Sequence, residues 1–311
     1  MEFFHNIPHI NFLGVRKLAM SMSVVVLIAA IASLAVQGLN LGVDFTGGVT
    51  VQVAYPQAAD LAQVRSALTA GGYGEAVAQA FGTPQEVQIR LKLQQGQTDK
   101  DAGAKVLAAL QKADPQVKLQ QVNFVGPEVG KDLATKGSIA FIVTLVGILL
   151  YIVLRFEWRF ALGAVAATLH DVVFTVGFFS LLHIEFDLNV LAAVLAVMGY
   201  SVNDTVVVFD RIREDFRKMR KGTPIEIMNA AINETLSRTI MTSGVTLLVV
   251  IALLILGGPV LHGFSLALFV GIIVGTYSSI YIASATALML GVSKSDLMPT
   301  RKEDQPVDDL P

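Results

Sequence analysis

Cysteine is absent from this chain of 311 residues. That excludes disulfides, thiolate nucleophiles and cysteine-based metal sites. The five histidines fall in no HExxH or other ligand spacing, so no metal is expected. No GxxxxGK[ST] stretch occurs, which removes direct nucleotide hydrolysis. No serine sits in a nucleophile-elbow context. Charge is scarce as well, at 15% of residues against 53% hydrophobic, with a mean hydropathy of +0.61. A soluble domain does not look like this; a polytopic α-helical membrane protein with one polar insert does.

Six apolar runs are long enough for a hydrocarbon core of about 30 Å, which takes roughly 20 helical residues. They are Leu18–Val36, Ser138–Leu154, Phe160–Leu182, Leu188–Phe209, Thr239–Leu256 and Phe264–Leu290. The first follows Arg16-Lys17 like a signal peptide, but Gln37-Gly38-Leu39 offers no small-x-small cleavage site, so an uncleaved anchor is expected. Phe3-Phe4 and Ile10 to Leu13 before it suggest an interfacial start, residues 1–17. Lys and Arg cluster before the first span, between the second and third, after the fourth and after the sixth. The loops around His183-Ile184-Glu185 and Gly257 to Gly263 carry none. By the positive-inside rule both termini are cytoplasmic and residues 38–136 lie outside.

That outer segment reads as strand Thr50–Tyr55, helix Asp60–Ala70, strands Ala76–Gly82 and Glu86–Leu93 joined by a Gly-Thr-Pro turn, helix Asp101–Ala113 and strand Leu119–Val125. The order β-α-β-β-α-β is that of an α+β ferredoxin-like domain. Two glycine-rich stretches frame it, with Asp44, Gly47 and Gly48 on one side and Gly126 and Pro127 on the other. They serve either as stiff junctions or as hinges for a swinging domain. Residues 293–311 read as a disordered cytoplasmic tail, and Arg211 to Leu236 as an amphipathic cytoplasmic segment.

Polar residues inside the spans carry the functional signal. Asp204, with Asn203 beside it, falls in the second half of a hydrophobic run, where a carboxylate costs about 2.5–3.5 kcal/mol on insertion scales. Nothing about spanning a membrane requires it. A low dielectric and a nearby arginine act on such a carboxyl in opposite senses, which suits a proton carrier. Arg238 at the head of the fifth span is the obvious partner, on one helical face with Thr242 and Thr246 and with Thr239 and Ser243 adjacent. Arg238 also fits a snorkelling anchor. In the third span Asp171 shares a face with Ala164, Ala167, Thr168 and Thr175, and suits either a proton path or a contact between helices. His170 and Asp171, as i, i+1 neighbours on a helix, are not expected to face one another. In the sixth span Ala267, Gly271, Gly275, Ser279, Ala283 and Ala287 form a stripe of small residues suited to close helix packing, within the chain or against a second subunit.

These residues resemble the SecD/SecF family of bacterial protein-export proteins, related to the RND transporters. The likeness rests on Asp44-Phe45-Thr46-Gly47-Gly48, Val125-Gly126-Pro127-Glu128-Val129-Gly130, Leu169-His170-Asp171, Gly199-Tyr200-Ser201-Val202-Asn203-Asp204-Thr205-Val206-Val207, Phe209-Asp210-Arg211-Ile212-Arg213-Glu214, Ser237-Arg238-Thr239 and Gly275-Thr276-Tyr277-Ser278-Ser279. The chain is too short for a fused SecD–SecF. The resemblance implies an inner-membrane subunit that pairs with a separate SecD, works with SecYEG, contacts YajC and YidC, and handles unfolded preprotein in the lipid bilayer, with no nucleic acid. It implies protons as the coupling ion and no other cofactor, with Asp204 and Arg238 linked to proton movement and no enzymatic step. The rival class is a self-contained RND-like exporter of small molecules or lipids, for which the outer segment leaves little room.

Overall fold

The computed structural model describes residues 8–91, 99–219 and 221–293. Phe3-Phe4, the end of the strand read as Glu86–Leu93 and the tail beyond Ser293 therefore lie outside the described residues, in whole or in part. In chain order the elements are α1 (Arg16–Val36), β1 (Asn40–Leu41), α2 (Val43–Thr46), β2 (Gly48–Ala54), α3 (Leu61–Ala70), β3 (Val77–Phe81), β4 (Thr83–Leu91), α4 (Asp99–Gln111), β5 (Lys118–Val125), α5 (Pro127–Arg155), α6 (Trp158–Leu181), β6 (Glu185–Phe186), α7 (Leu188–Lys218), α8 (Pro224–Leu256), α9 (Gly258–Ser278) and α10 (Ser284–Met289). A 3₁₀ turn, Leu13–Val15, leads into α1, and a π-helical turn, Ser279–Ala283, joins α9 to α10. Six of these helical stretches are long and apolar enough to cross a membrane, matching the six hydrophobic runs in number and place.

The helices outrun the runs that mark them, because backbone hydrogen bonding does not stop where hydrophobicity does. Pro127 takes the first position of α5, where its missing N–H costs nothing, and α5 continues unbroken into the second span. The stretch read as an amphipathic cytoplasmic segment is divided between α7, which runs on to Lys218, and α8, which starts at Pro224. Thr223 and Glu226 close the start of α8 as a reciprocal capping box. Ion pairs hold this end of the bundle: Arg155–Asp210 at 2.8 Å, Arg213–Glu157 at 2.7 Å, and Arg211 with both Glu214 and Glu234. The described part of the leading segment packs against α8. Phe12 and Leu13 are buried, and Asn233 and Asn229 accept the backbone N–H groups of Ile10 and Leu13.

Residues 48–125 form a separate α/β layer whose four-stranded antiparallel sheet runs β3-β4-β2-β5. Val49, Val51, Val53 and Ile89 from the sheet pack on Val64 and Leu68 of α3 and Val106 and Leu110 of α4. Asp60 caps α3 by accepting from the Ala62 N–H at 2.8 Å. The β3–β4 turn is tighter than the three residues expected. Thr83 and Pro84 already belong to β4, and Gly82 alone turns the chain at φ +74°.

The two glycine-rich junctions meet each other. Gly47 has φ +69°, and a Cβ there falls 2.8 Å from Pro127 Cα; one on Gly130 falls 2.7 Å from Gly47 N. Backbone presses on backbone, which favours the stiff junction over the free hinge. Beside it β1 pairs in parallel with β6, Asn40 opposite Glu185 and Leu41 opposite Phe186. Arg90 of the sheet bonds Asn40 Oδ1 and the Leu41 carbonyl and lies 3.7 Å from Glu185, to which Gln79 also donates. Asp44 accepts the first N–H of α7, that of Leu188, at 3.2 Å.

This docking layer is acid-rich, and its pH response has a definite sign. Burial pushes the Glu185 carboxyl up, aided by Asp187 and Asp44 and opposed by Arg90 and Gln79. Burial also pushes Asp187 up, against its hydrogen bond from the Val190 N–H. Acids raised on folding bind protons more tightly in the folded chain. Their contribution is therefore fully present below the usual carboxylate range and is lost as pH rises through the raised values. Amide-exchange protection of Gly42, whose N–H bonds the Phe186 carbonyl at 2.9 Å, is expected to fall across that window after correction for intrinsic exchange. Glu185→Gln is expected to flatten the trend. A profile unchanged by that substitution counts against Glu185 as its source.

Candidate functional site

Asp171 and Asp204 lie inside the apolar part of the helical bundle, and hydroxyl groups contact both. Asp204, 6% exposed on α7, accepts from Thr239 Oγ1 of α8 at 2.9 Å through one oxygen and from Ser279 Oγ at 2.5 Å through the other. Asp171, 1% exposed on α6, accepts from Ser278 Oγ at 2.7 Å and from Ser201 Oγ of α7, both at Oδ2. Its Oδ1 lies 2.9 Å from His170 Nδ1. The two acids sit on different helices, yet their hydroxyl donors are neighbours on the strand of helix formed by α9 and its π turn.

A second polar layer lies alongside. Tyr200 donates to Ser243 Oγ at 3.1 Å, and Ser243 Oγ lies 2.8 Å from Thr276 Oγ1. These contacts join α7, α8 and α9. Hydroxyls suit such a place because each can donate and accept, so they satisfy one another without a fixed charge.

The approach of the helices comes from their small residues. A Cβ on Gly271 falls 2.3 Å from Val197 Cγ2, one on Gly275 3.1 Å from Ser201 Cβ, and one on Gly163 2.6 Å from the Ala283 carbonyl. Gly271, Gly275 and Ser279 are buried within the chain, so this stripe packs against α7 and, at Ala283, α6, and not against a second subunit. Ser279 does more than pack, since it is a donor to Asp204.

Other residues expected at the site stand differently. Asn203 and Arg238 are exposed, and Arg238 forms no ion pair with Asp204, whose two oxygens are taken by hydroxyls. Thr242 and Thr246 donate back to carbonyls of their own helix, at Arg238 and Thr242. Asn203, Arg238 and Thr242 thus lie on the outside of the bundle. His170 and Asp171 do meet, against the helical-neighbour expectation, with Nδ1 2.9 Å from Oδ1. Asp44, Gly47, Gly48, Gly126 and Pro127 belong to the docking layer, apart from the buried acids. Thr239 was read only as adjacent to the Arg238 face, and Ser201 and Ser278 were not singled out as site residues by sequence reasoning. Among the described residues no group of three or more His, Cys, Asp or Glu side chains is placed to hold a metal ion.

This arrangement can be compared with known proteins. Residues 105–293 match the family model for the protein export membrane protein SecD/SecF, C-terminal, and residues 32–59 match the SecD/SecF GG motif. The chain belongs to the SecD/SecF family. The GG match spans Gly47 and Gly48, where backbone meets backbone, and the longer match holds both acids and their hydroxyl donors. The Protein translocase subunit SecF of Vibrio alginolyticus is 49% identical over 305 residues, covering 97% of either chain. That of Escherichia coli O157:H7 is 44% identical over 292 residues, covering 93% of this chain and 90% of its own. The crystal structure of SecDF from Thermus thermophilus, described as a translocon-associated membrane protein, superposes with TM-score 0.81 at 37% identity. That likeness covers 91% of this chain and 39% of the SecDF chain, so this chain corresponds to well under half of the SecDF protein. SecDF in its super-membrane-facing form gives TM-score 0.69 at the same identity. As a member of the SecD/SecF family the chain is a multi-pass membrane protein, and its buried polar centre is one of the features such a bundle does not need for spanning alone.

Proposed function

We propose that this chain pairs with a SecD subunit in the bacterial inner membrane and uses the proton-motive force to promote the late stage of preprotein translocation through SecYEG. The observation that carries the reading is Asp204: a carboxyl buried between three helices, its two oxygens held by hydroxyl donors, with the charge of Arg238 acting on it without a direct ion pair. Such a group can gain and lose a proton with only hydroxyl rotations to accommodate it, and its charge state biases the helices that contact it. The ionic end of the bundle, with Arg155, Arg211 and Arg213, is assigned to the cytoplasm by the positive-inside rule. The α/β layer then lies in the periplasm. Its β-α-β-β-α-β order and antiparallel sheet support the ferredoxin-like reading, and it is suited to hold emerging polypeptide. The exposed polar face of Asn203, Arg238 and Thr242 is assigned to the SecD subunit, since polar side chains at membrane depth face protein or water in preference to lipid.

The test is a transport assay in vesicles holding the channel, SecD and this chain at saturating ATP. Collapsing the proton gradient with an uncoupler is expected to slow completion of a half-translocated preprotein several-fold, and only in vesicles that contain this chain. An equal effect with and without the chain counts against the reading.

A further inference from the structure

Ser278 and Ser279 are consecutive, yet they serve different acids, Asp171 on α6 and Asp204 on α7. Each hydroxyl also has a backbone carbonyl within reach three residues back, Gly275 for Ser278 and Thr276 for Ser279, both at 3.1 Å. A serine hydroxyl has one hydrogen to give. An ionised carboxylate takes it. A protonated carboxyl instead donates its own hydrogen to the serine oxygen, and the serine hydrogen turns to the carbonyl. The charge of each acid therefore decides which way its serine points.

Those carbonyls lie where the helix changes its winding. The Ser279 N–H bonds the Gly275 carbonyl, the same acceptor that Ser278 Oγ reaches. The π turn begins at Ser279, and Ser284 Oγ donates to the Ser279 carbonyl five residues back at 3.1 Å. A π turn is one residue of surplus winding, and such turns are frequent at functional sites. Turning either serine alters hydrogen bonding around the same junction. Ser201, three residues before Asp204, adds a second link between the acids by donating to Asp171.

We propose that Ser278 and Ser279 are positioning residues that couple the protonation of Asp171 to that of Asp204 through the π turn, so that the two acids titrate as one pair. The other ionisable and polar groups around them are engaged elsewhere or stand off. His170 contacts Asp171 through Nδ1, and its buried Nε2 has no partner. Tyr277 is bonded to the Ala19 carbonyl and Ser23, and Tyr200 to Ser243. Arg238 is exposed. The proposal rests on the reading of Asp204 as the proton-binding acid, and it adds the means by which a second acid takes part.

The experiment is infrared difference spectroscopy of the carboxyl stretch between acid and alkaline buffer. It uses the full chain with its SecD partner in lipid vesicles, the bands being assigned with Asp171→Asn and Asp204→Asn. Ser278→Ala removes the hydroxyl's contacts to Asp171 and to the Gly275 carbonyl and none to Asp204, yet it is expected to displace the titration midpoint of Asp204 by about one pH unit. Ser278→Thr keeps the hydroxyl and is expected to return it. Ser278→Cys, near in volume and a weaker donor, is expected to fall between and serves where the alanine variant does not accumulate. An Asp204 midpoint that stays put in Ser278→Ala and Ser278→Cys overturns the coupling, as does the absence of any titrating Asp204 band. Undiminished export by Asp204→Asn would instead sink the proposed function while leaving a coupled titration standing.

Discussion

Asp204→Asn is expected to reduce preprotein export to the level of cells lacking the chain, while SecD remains bound in a pull-down. Asparagine keeps the size of the side chain and one oxygen that accepts from Thr239. Its amide nitrogen faces Ser279, whose hydroxyl can turn and accept. Hydrogen bonds to an ionised group are worth about 1.5–3 kcal/mol and neutral ones about half of that, so folding loses on the order of 1 kcal/mol. What vanishes entirely is the ability to take up and release a proton. Normal export would leave Asp204 a packing residue, and lost export with a broken complex would make the buried polar groups an assembly device.

Gly271→Leu is expected to be the most damaging single change in the bundle, lowering stability by about 3 kcal/mol and steady-state abundance with it. Even the first carbon of the new side chain would sit 2.3 Å from Val197 Cγ2. Val197 is 1% exposed and β-branched, so it has no alternative rotamer to retreat into, and α7 must move away from α9. That movement lengthens the Ser279–Asp204 contact, so transport falls further than abundance. A double-mutant cycle checks the cause. Val197→Ala clears the colliding methyl groups, and the double variant is expected to melt well above the sum of the two single effects. Strict additivity would show that the damage arises elsewhere.

The sequence made the acids visible and hid their partners. Asp171 and Asp204 stand out because a carboxylate in an apolar run costs enough to demand a reason. Serine and threonine carry no such penalty, since they can bond their own helix four residues back, as Thr242 and Thr246 do. Nothing in the pattern separates those from Thr239, which reaches across to Asp204. The pair Ser278-Ser279 was harder still. A strict 3.6-residue helix places one of them on the small-residue face and leaves the other aside, and the π turn that brings both into use has no mark in the hydrophobic pattern. Arg238, the partner its charge suggested for Asp204, acts on that carboxyl without direct contact, because the hydroxyls of Thr239 and Ser279 occupy both oxygens. The span positions were legible from hydropathy. Helix ends were not, because α5 begins at a proline that reads as a junction, and α7 continues through charges that its ion pairs stabilise.

The unbroken length of α7 has a mechanical consequence. At about 1.5 Å per residue its 31 residues make a rod of roughly 46 Å, longer than the hydrocarbon core is thick. Its first N–H is held by Asp44 at the docking layer, and its far end is clamped by the ion pairs of Arg211 and Arg213. Asp204 lies near the middle, with arms of roughly 24 Å and 21 Å on either side. It is placed as a fulcrum. A tilt of about 5° at that point carries Leu188 through about 2 Å, so under the proposed proton coupling a small change at Asp204 would reach the α/β layer as a change of stance.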